Sequence, residues 1–147
     1  MTHSSGMSFQ DLAAVNASAR LNRLAKFDVT AAENGAAEIV MQWNDDLTQY
    51  AGHLHAGMIA ALLDTACGFA AATVVGNVTA THFSMNCLRP AVGRRFIAAG
   101  TTVRAGRKQV GDAPQYVGAV VHLGARDRRL QFVDQILTRV HSELPTP

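Results

Sequence analysis

A chain of 147 residues, 48% hydrophobic and 16% charged, has the size and composition of one globular domain with a real core, which excludes a disordered protein. A formal charge of +2 without any block of like charges argues against a nucleic-acid partner. Two cysteines, Cys67 and Cys87, lie in apolar stretches without metal or redox spacing, and are expected as reduced core residues of a cytoplasmic protein.

Residues 1–10 lack the basic start and apolar run of a signal peptide, so export is not expected. Ser8 with Asp11 three residues on approximates a capping box, and Leu12, Val15, Ala19 and Leu21 form a rough apolar stripe. Together they predict a short amphipathic helix over about residues 9–22. From Leu24 the pattern turns to a period of two, with Phe27 and Val29 on one face, until Glu33-Asn34-Gly35 offers a turn that can take positive φ. A second strand, 36–43, carries Ile39, Met41 and Trp43 on one side and Glu38 and Gln42 on the other. Residues 44–55 have no sustained period and read as a loop, a common place for a site on a rigid scaffold.

Residues 57–75 form the one long predicted helix, apolar all round and therefore expected to be buried on most sides. Its length raises the possibility of a membrane span, but Asp64 at its middle would cost roughly 2.5–3.5 kcal/mol there, and no membrane association is expected. Three β-rich runs follow at 78–87, 95–104 and 115–123, broken near Gly93, Gly106 and Gly111, and Asp127-Arg128-Arg129 turns into a last run at 130–140. One helix and five to six strands without strand-helix alternation predict an α+β domain whose antiparallel sheet wraps the helix. The chain then divides into a tail and short helix (1–23), one domain (24–141) and a flexible tail (142–147) ending in Pro145-Thr146-Pro147.

The informative segment places Gln49 six residues before His55-Ala56-Gly57, with Asp64 nine residues after His55. This resembles the signature of hot-dog-fold acyl-CoA thioesterases of the phenylacetic-acid-degradation group. Arg89-Pro90 after Leu88 and Gly106-Arg107 are similar to that group's later motifs, so the resemblance covers roughly residues 24–140. It implies a hot-dog fold, hydrolysis of an acyl-CoA thioester and Asp64 as the catalytic carboxylate. It also marks departures: Ala56 stands where the group has Gly, and Ala80 where it often has Ser or Thr.

The residues support the same chemistry. Asp64 is the sole ionisable side chain between Met58 and Val75, so a partner, a cleft or water must solvate it; a structural buried Asp is the alternative. Ala56 and Gly57 lie where the helix begins, and its first N–H groups, lacking internal partners, can serve a developing oxyanion. His55 either orients that turn or packs as an entry residue, and Gln49 would hold the attacking water or the thioester. Asp64 lies about 10 Å along the helix from Gly57, too far for one helix to place both at one carbonyl. A two-fold partner with an antiparallel helix would bring its Asp64 to this chain's Ala56. The expectation is a homodimer with shared active sites, assembled as a dimer of dimers.

Asp64 would act as general base or as nucleophile. Thr65 and Gly68, one turn on, border the acyl pocket or simply pack, and Arg89, Arg104, Arg107 and Lys108 are candidates for the CoA phosphates. No cofactor beyond the substrate's coenzyme A is expected, and no metal, because His53, His55 and His82 fit no common zinc spacing. The competing readings are a hot-dog hydratase or dehydratase using His55 with Asp64, and a non-catalytic acyl-CoA-binding module.

Overall fold

The computed structural model describes residues 6–87, 89–103, 115–123 and 129–139. Helix α1 (Phe9–Ser18) starts at a complete capping box. The Ser8 hydroxyl accepts from the Asp11 N–H at 3.2 Å, while the Asp11 carboxylate accepts from the Ser8 N–H at 2.9 Å and from its hydroxyl at 2.7 Å. These bonds, led by the one from the Ser8 backbone, hold the Asp11 pKa below the ordinary carboxylate value. A carboxyl depressed in the fold stabilises above its unfolded pKa and loses that contribution as pH falls through the folded value. Amide-exchange protection of the first turn of α1 is therefore expected to fall on acidification below about pH 4, and Asp11→Asn to remove this dependence.

The predicted helix 9–22 is in fact two helices. Ala19 adopts extended dihedrals (φ −73°, ψ 119°) and separates α1 from α2 (Arg20–Leu24). Beyond that break the expected stripe is lost: Leu12 in α1 is 1% exposed, whereas Leu21 and Leu24 in α2 are 47% and 67% exposed; Val15, within α1, is 40% exposed. Leu24 thus ends a helix rather than starting a strand. The first strand, β1 (Asp28–Glu33), follows Lys26 at φ 56°, and Phe27 and Val29 are buried. Asn34 (φ 51°) and Gly35 (φ 80°) then make the tight turn into β2 (Ala36–Gln42), both central residues having the positive φ that matches strand twist. Ile39 and Met41 are fully buried, and the Trp43 ring lies tilted 6.2 Å from that of Phe96.

After the site loop, α3 (Ala56–Val75) runs for 20 residues. It is followed by β3 (Val78–Cys87), β4 (Arg95–Val103), β5 (Gln115–Leu123) and β6 (Arg129–Arg139). All pairings are antiparallel in one sheet of order β1-β2-β4-β5-β6-β3. The helix packs on this sheet through Ile59, Leu62, Leu63, Ala66, Cys67 and Ala70. By length and composition α3 could cross a membrane, and half of its apolar window is buried in the fold.

Burial of α3 is one-sided, less than the burial on most sides that its composition suggested. Ala56, Gly57 and Asp64 are exposed and Ala60, Ala61, Thr65 and Gly68 are half-buried. Cys67 is buried but Cys87 is exposed, so only one cysteine is a core residue. It lies at the end of β3, an edge strand paired only with β6, most of whose residues are exposed.

Gly100 sets how closely α3 meets the sheet. A Cβ there would lie 2.6 Å from the Ala66 carbonyl oxygen and 2.8 Å from its carbon. Backbone cannot yield as a side-chain tip can, so Gly100→Ala is expected to cost about 1–3 kcal/mol of stability, measured by urea unfolding. An unchanged midpoint would show that the helix has room to lift.

Candidate active site at the helix entry and on its open face

The loop predicted for residues 44–55 is tightly built. Asp45–Leu47 forms a single 3-10 turn capped by the Asn44 side chain, and Thr48 bridges to Leu54. Between them the chain reverses: the Gln49 N–H donates to the His53 carbonyl (2.8 Å) and the Gly52 N–H to the Gln49 carbonyl (3.0 Å). The Leu54 N–H donates to Ala91 O (2.9 Å) and the His55 N–H to Leu47 O (2.9 Å), which fastens this reversal to the segment after β3.

His55 is the N-cap of α3. Its ring Nδ1 accepts from the Gly57 N–H at 2.8 Å, and its carbonyl accepts from Met58 N–H at 2.9 Å. Because a backbone N–H only donates, Nδ1 must carry the lone pair, which puts the proton of the neutral ring on Nε2. In this state the ring can donate through Nε2, while its one lone pair is engaged by the Gly57 N–H. Gly57 is needed for the cap, since a Cβ there would lie 2.9 Å from Nδ1.

The cap divides the two N–H groups expected as oxyanion donors. That of Gly57 is engaged by His55, so within the chain Ala56 is left as the donor at the helix start. Ala56 lies inside α3 and is not among the residues with positive φ, so an Ala here costs the backbone nothing and keeps its N–H. Ala56 lines a cavity of about 300 Å³ together with Gln49, His53, Ile59, Cys87 and Arg89.

Asp64 faces a second cavity, of about 280 Å³, lined also by Thr65, Gly68, Phe69, Thr79 and Ala80. Its carboxylate is exposed, which answers how so apolar a helix tolerates it. Ala80 faces the same cavity where a hydroxyl was expected from the resemblance, and the Thr65 hydroxyl is turned back to Ala61 O at 2.9 Å. The chain thus brings Gln49, Ala56 and Arg89 together, and Asp64, Thr65 and Gly68 together, but in separate cavities. Eight residues of helix between Ala56 and Asp64 amount to about 12 Å.

Arg104, Arg107 and Lys108 lie outside the described residues, as does the tail 142–147. Among the described residues, no three His, Cys, Asp or Glu side chains gather as a metal site. By sequence His53 has only a metal-ligand reading, yet it stands beside Gln49 in the first cavity, with Gln49 Nε2 and His53 Nδ1 3.3 Å apart. Its four-residue spacing from Gln49 could have revealed this only if the tight reversal at Gly52 (φ 80°) had been recognised.

Residues 51–111 match the model of the thioesterase superfamily, a span that includes His55, Ala56, Gly57 and Asp64 and begins just after Gln49. Among solved structures, a thioesterase family protein of Silicibacter pomeroyi is 27% identical, with 88% of this chain and 95% of that one covered at a TM-score of 0.78. The PaaI protein from the phenylacetic acid degradation operon of E. coli is 15% identical over 95% and 96% of the two chains, at a TM-score of 0.79. A thioesterase of Haemophilus influenzae is 17% identical over the full length of both, also at 0.79. No curated protein sequence matches significantly. The sheet packed on one long helix makes this a hot-dog-fold protein, and over residues 51–111, the acid-bearing helix included, it is similar to the thioesterase superfamily.

Proposed function

We propose that the chain hydrolyses an acyl-CoA thioester in sites shared between two subunits, each site using Asp64 of one subunit with Ala56 and Gln49 of the other. Thioester hydrolysis is the reaction class of the family; the substrate, the residues and the assembly are our reading. The observation that carries it is the division of the machinery: the acid and the N–H donor occupy separate cavities on α3 of one subunit. A second α3 lying antiparallel would bring each acid to the other's donor. The open face of α3, with Gly57, Ala60, Ala61 and Gly68 around Asp64, is made of residues small enough for such an approach. Beside it β3, an edge strand of 10 residues, offers its outer edge to the same partner.

In this arrangement the Asp64 carboxylate takes a proton from water as the oxygen adds to the thioester carbon, or adds to that carbon itself and forms an anhydride. The carbonyl oxygen gathers charge and is held by the Ala56 N–H. Collapse expels the CoA thiolate, which takes up the proton; on the anhydride route a water then splits the anhydride into the carboxylic acid and free Asp64. Arg89 at the edge of the same cavity would meet the CoA phosphates. No further cofactor is required by this scheme. The His55 cap favours it over a hydratase, which would need that ring as a base.

Release of free CoA from a panel of short-chain, aryl and long-chain acyl-CoAs tests the activity. Turnover of at least one class is expected, and saturable binding with no turnover of any would leave an acyl-CoA-binding module instead. The mass of the active species in solution tests the assembly, an active monomer being the result that overturns shared sites.

A further inference from the structure

Gln49 and His53 face each other across the reversal that leads into α3. Two contacts hold the Gln49 amide: Oε1 accepts from the Ala51 N–H, and Nε2 lies 3.3 Å from His53 Nδ1. The first contact decides the chemistry of the second. The Ala51 N–H can only donate, so the amide oxygen must face Ala51 and the NH2 group must face His53. That NH2 group also only donates, so Nδ1 is the acceptor and the neutral ring carries its proton on Nε2. The Gln49 oxygen is thereby turned to the backbone, and one amide proton remains for a bound molecule.

We propose that His53 is a positioning residue for Gln49, holding one amide proton at Nδ1 so that Gln49 presents its other proton to the thioester oxygen beside Ala56. This rests on the acyl-CoA hydrolysis reading above. The carbonyl oxygen then meets two donors in one cavity, the Ala56 N–H and the Gln49 amide, and Gln49 serves as a donor rather than as an acceptor for water. The charged or titratable groups that share the cavity with His53 are Cys87 at the end of β3 and Arg89 just after it, and Tyr50 on its own loop is fully exposed.

The test combines kinetics with amide spectra of the full chain for wild type, His53→Ala, His53→Asn, Gln49→Ala and the His53→Ala/Gln49→Ala double variant. His53→Ala is expected to lower kcat about 3–10-fold, the size of one lost hydrogen bond, with KM little changed. His53→Asn, whose Oδ1 can stand where Nδ1 stood, should restore kcat. In the Gln49→Ala background His53→Ala should have no further effect. The Gln49 side-chain amide signals, assigned by their loss in Gln49→Ala, should shift in His53→Ala and return in His53→Asn.

Equal losses from His53→Ala with and without Gln49, or unmoved Gln49 signals, would overturn the positioning role. Wild type that releases no CoA from any acyl-CoA would sink the hydrolysis reading instead, while the amide signals would still decide whether His53 holds Gln49. Thermal unfolding of His53→Ala beside His53→Asn separates a folding defect from loss of the acceptor.

Discussion

Asp64→Asn is expected to fold and assemble like wild type and to lose about 10²–10⁴-fold in kcat for thioester hydrolysis. The expectation rests on where the carboxylate stands. It is exposed on the open face of α3 and lines a cavity, so Asn at the same site keeps the shape and removes only the ability to accept a proton or attack a carbonyl. Substitutions at exposed positions usually change stability by no more than about 0.5 kcal/mol. The measurement is kcat and KM on the best acyl-CoA, with circular dichroism and molecular mass as controls. A drop in kcat with KM nearly unchanged is the signature of a group that acts in the transition state. Undiminished turnover would remove Asp64 from the mechanism and direct attention to the structural role of an acid at the cavity mouth.

Mixing two impaired variants is expected to restore activity. Asp64→Asn lacks the acid, and Gln49→Ala lacks the amide on the opposite side of each shared site. A mixed dimer then has one site with both defects and one with neither. Random pairing at equal amounts makes half of the dimers mixed, with half of their sites intact, so about a quarter of wild-type activity should return after subunit exchange. A site contained within one subunit could return nothing above the more active parent. The experiment thus tests the separation of Asp64 from Ala56 along α3, about 12 Å, as a functional fact. Failure of recovery despite confirmed exchange would place both groups at one site by a motion within the subunit.

Much of the fold was legible because it was written in local preferences. Asn34-Gly35 announces its turn, since few other pairs accept φ of 51° and 80° in succession. Ser8 and Asp11 announce the start of α1, because the capping bonds span only three residues. The spacing of Gln49, His55 and Asp64 was likewise readable. What those residues do to one another was not. That His55 takes the Gly57 N–H, and that Gln49 is clasped between Ala51 and His53, depends on ring and amide directions within a folded loop. Leu21 kept the expected period, but the extended residue Ala19 turned the second helix away.

By itself the sequence determined the α+β class, the order of helix and strands, and Asp64 as the one acid in an apolar helix, since each follows from periodicity or composition within a short window. Only the tertiary structure decided which donors remain at the helix start and which face of α3 is left open. The physical reason is that hydrogen-bond partners are chosen by direction as well as by type. The Gly57 N–H is taken by a side chain two residues away, and Ala56, the departure from the family pattern, keeps its N–H without any positive φ.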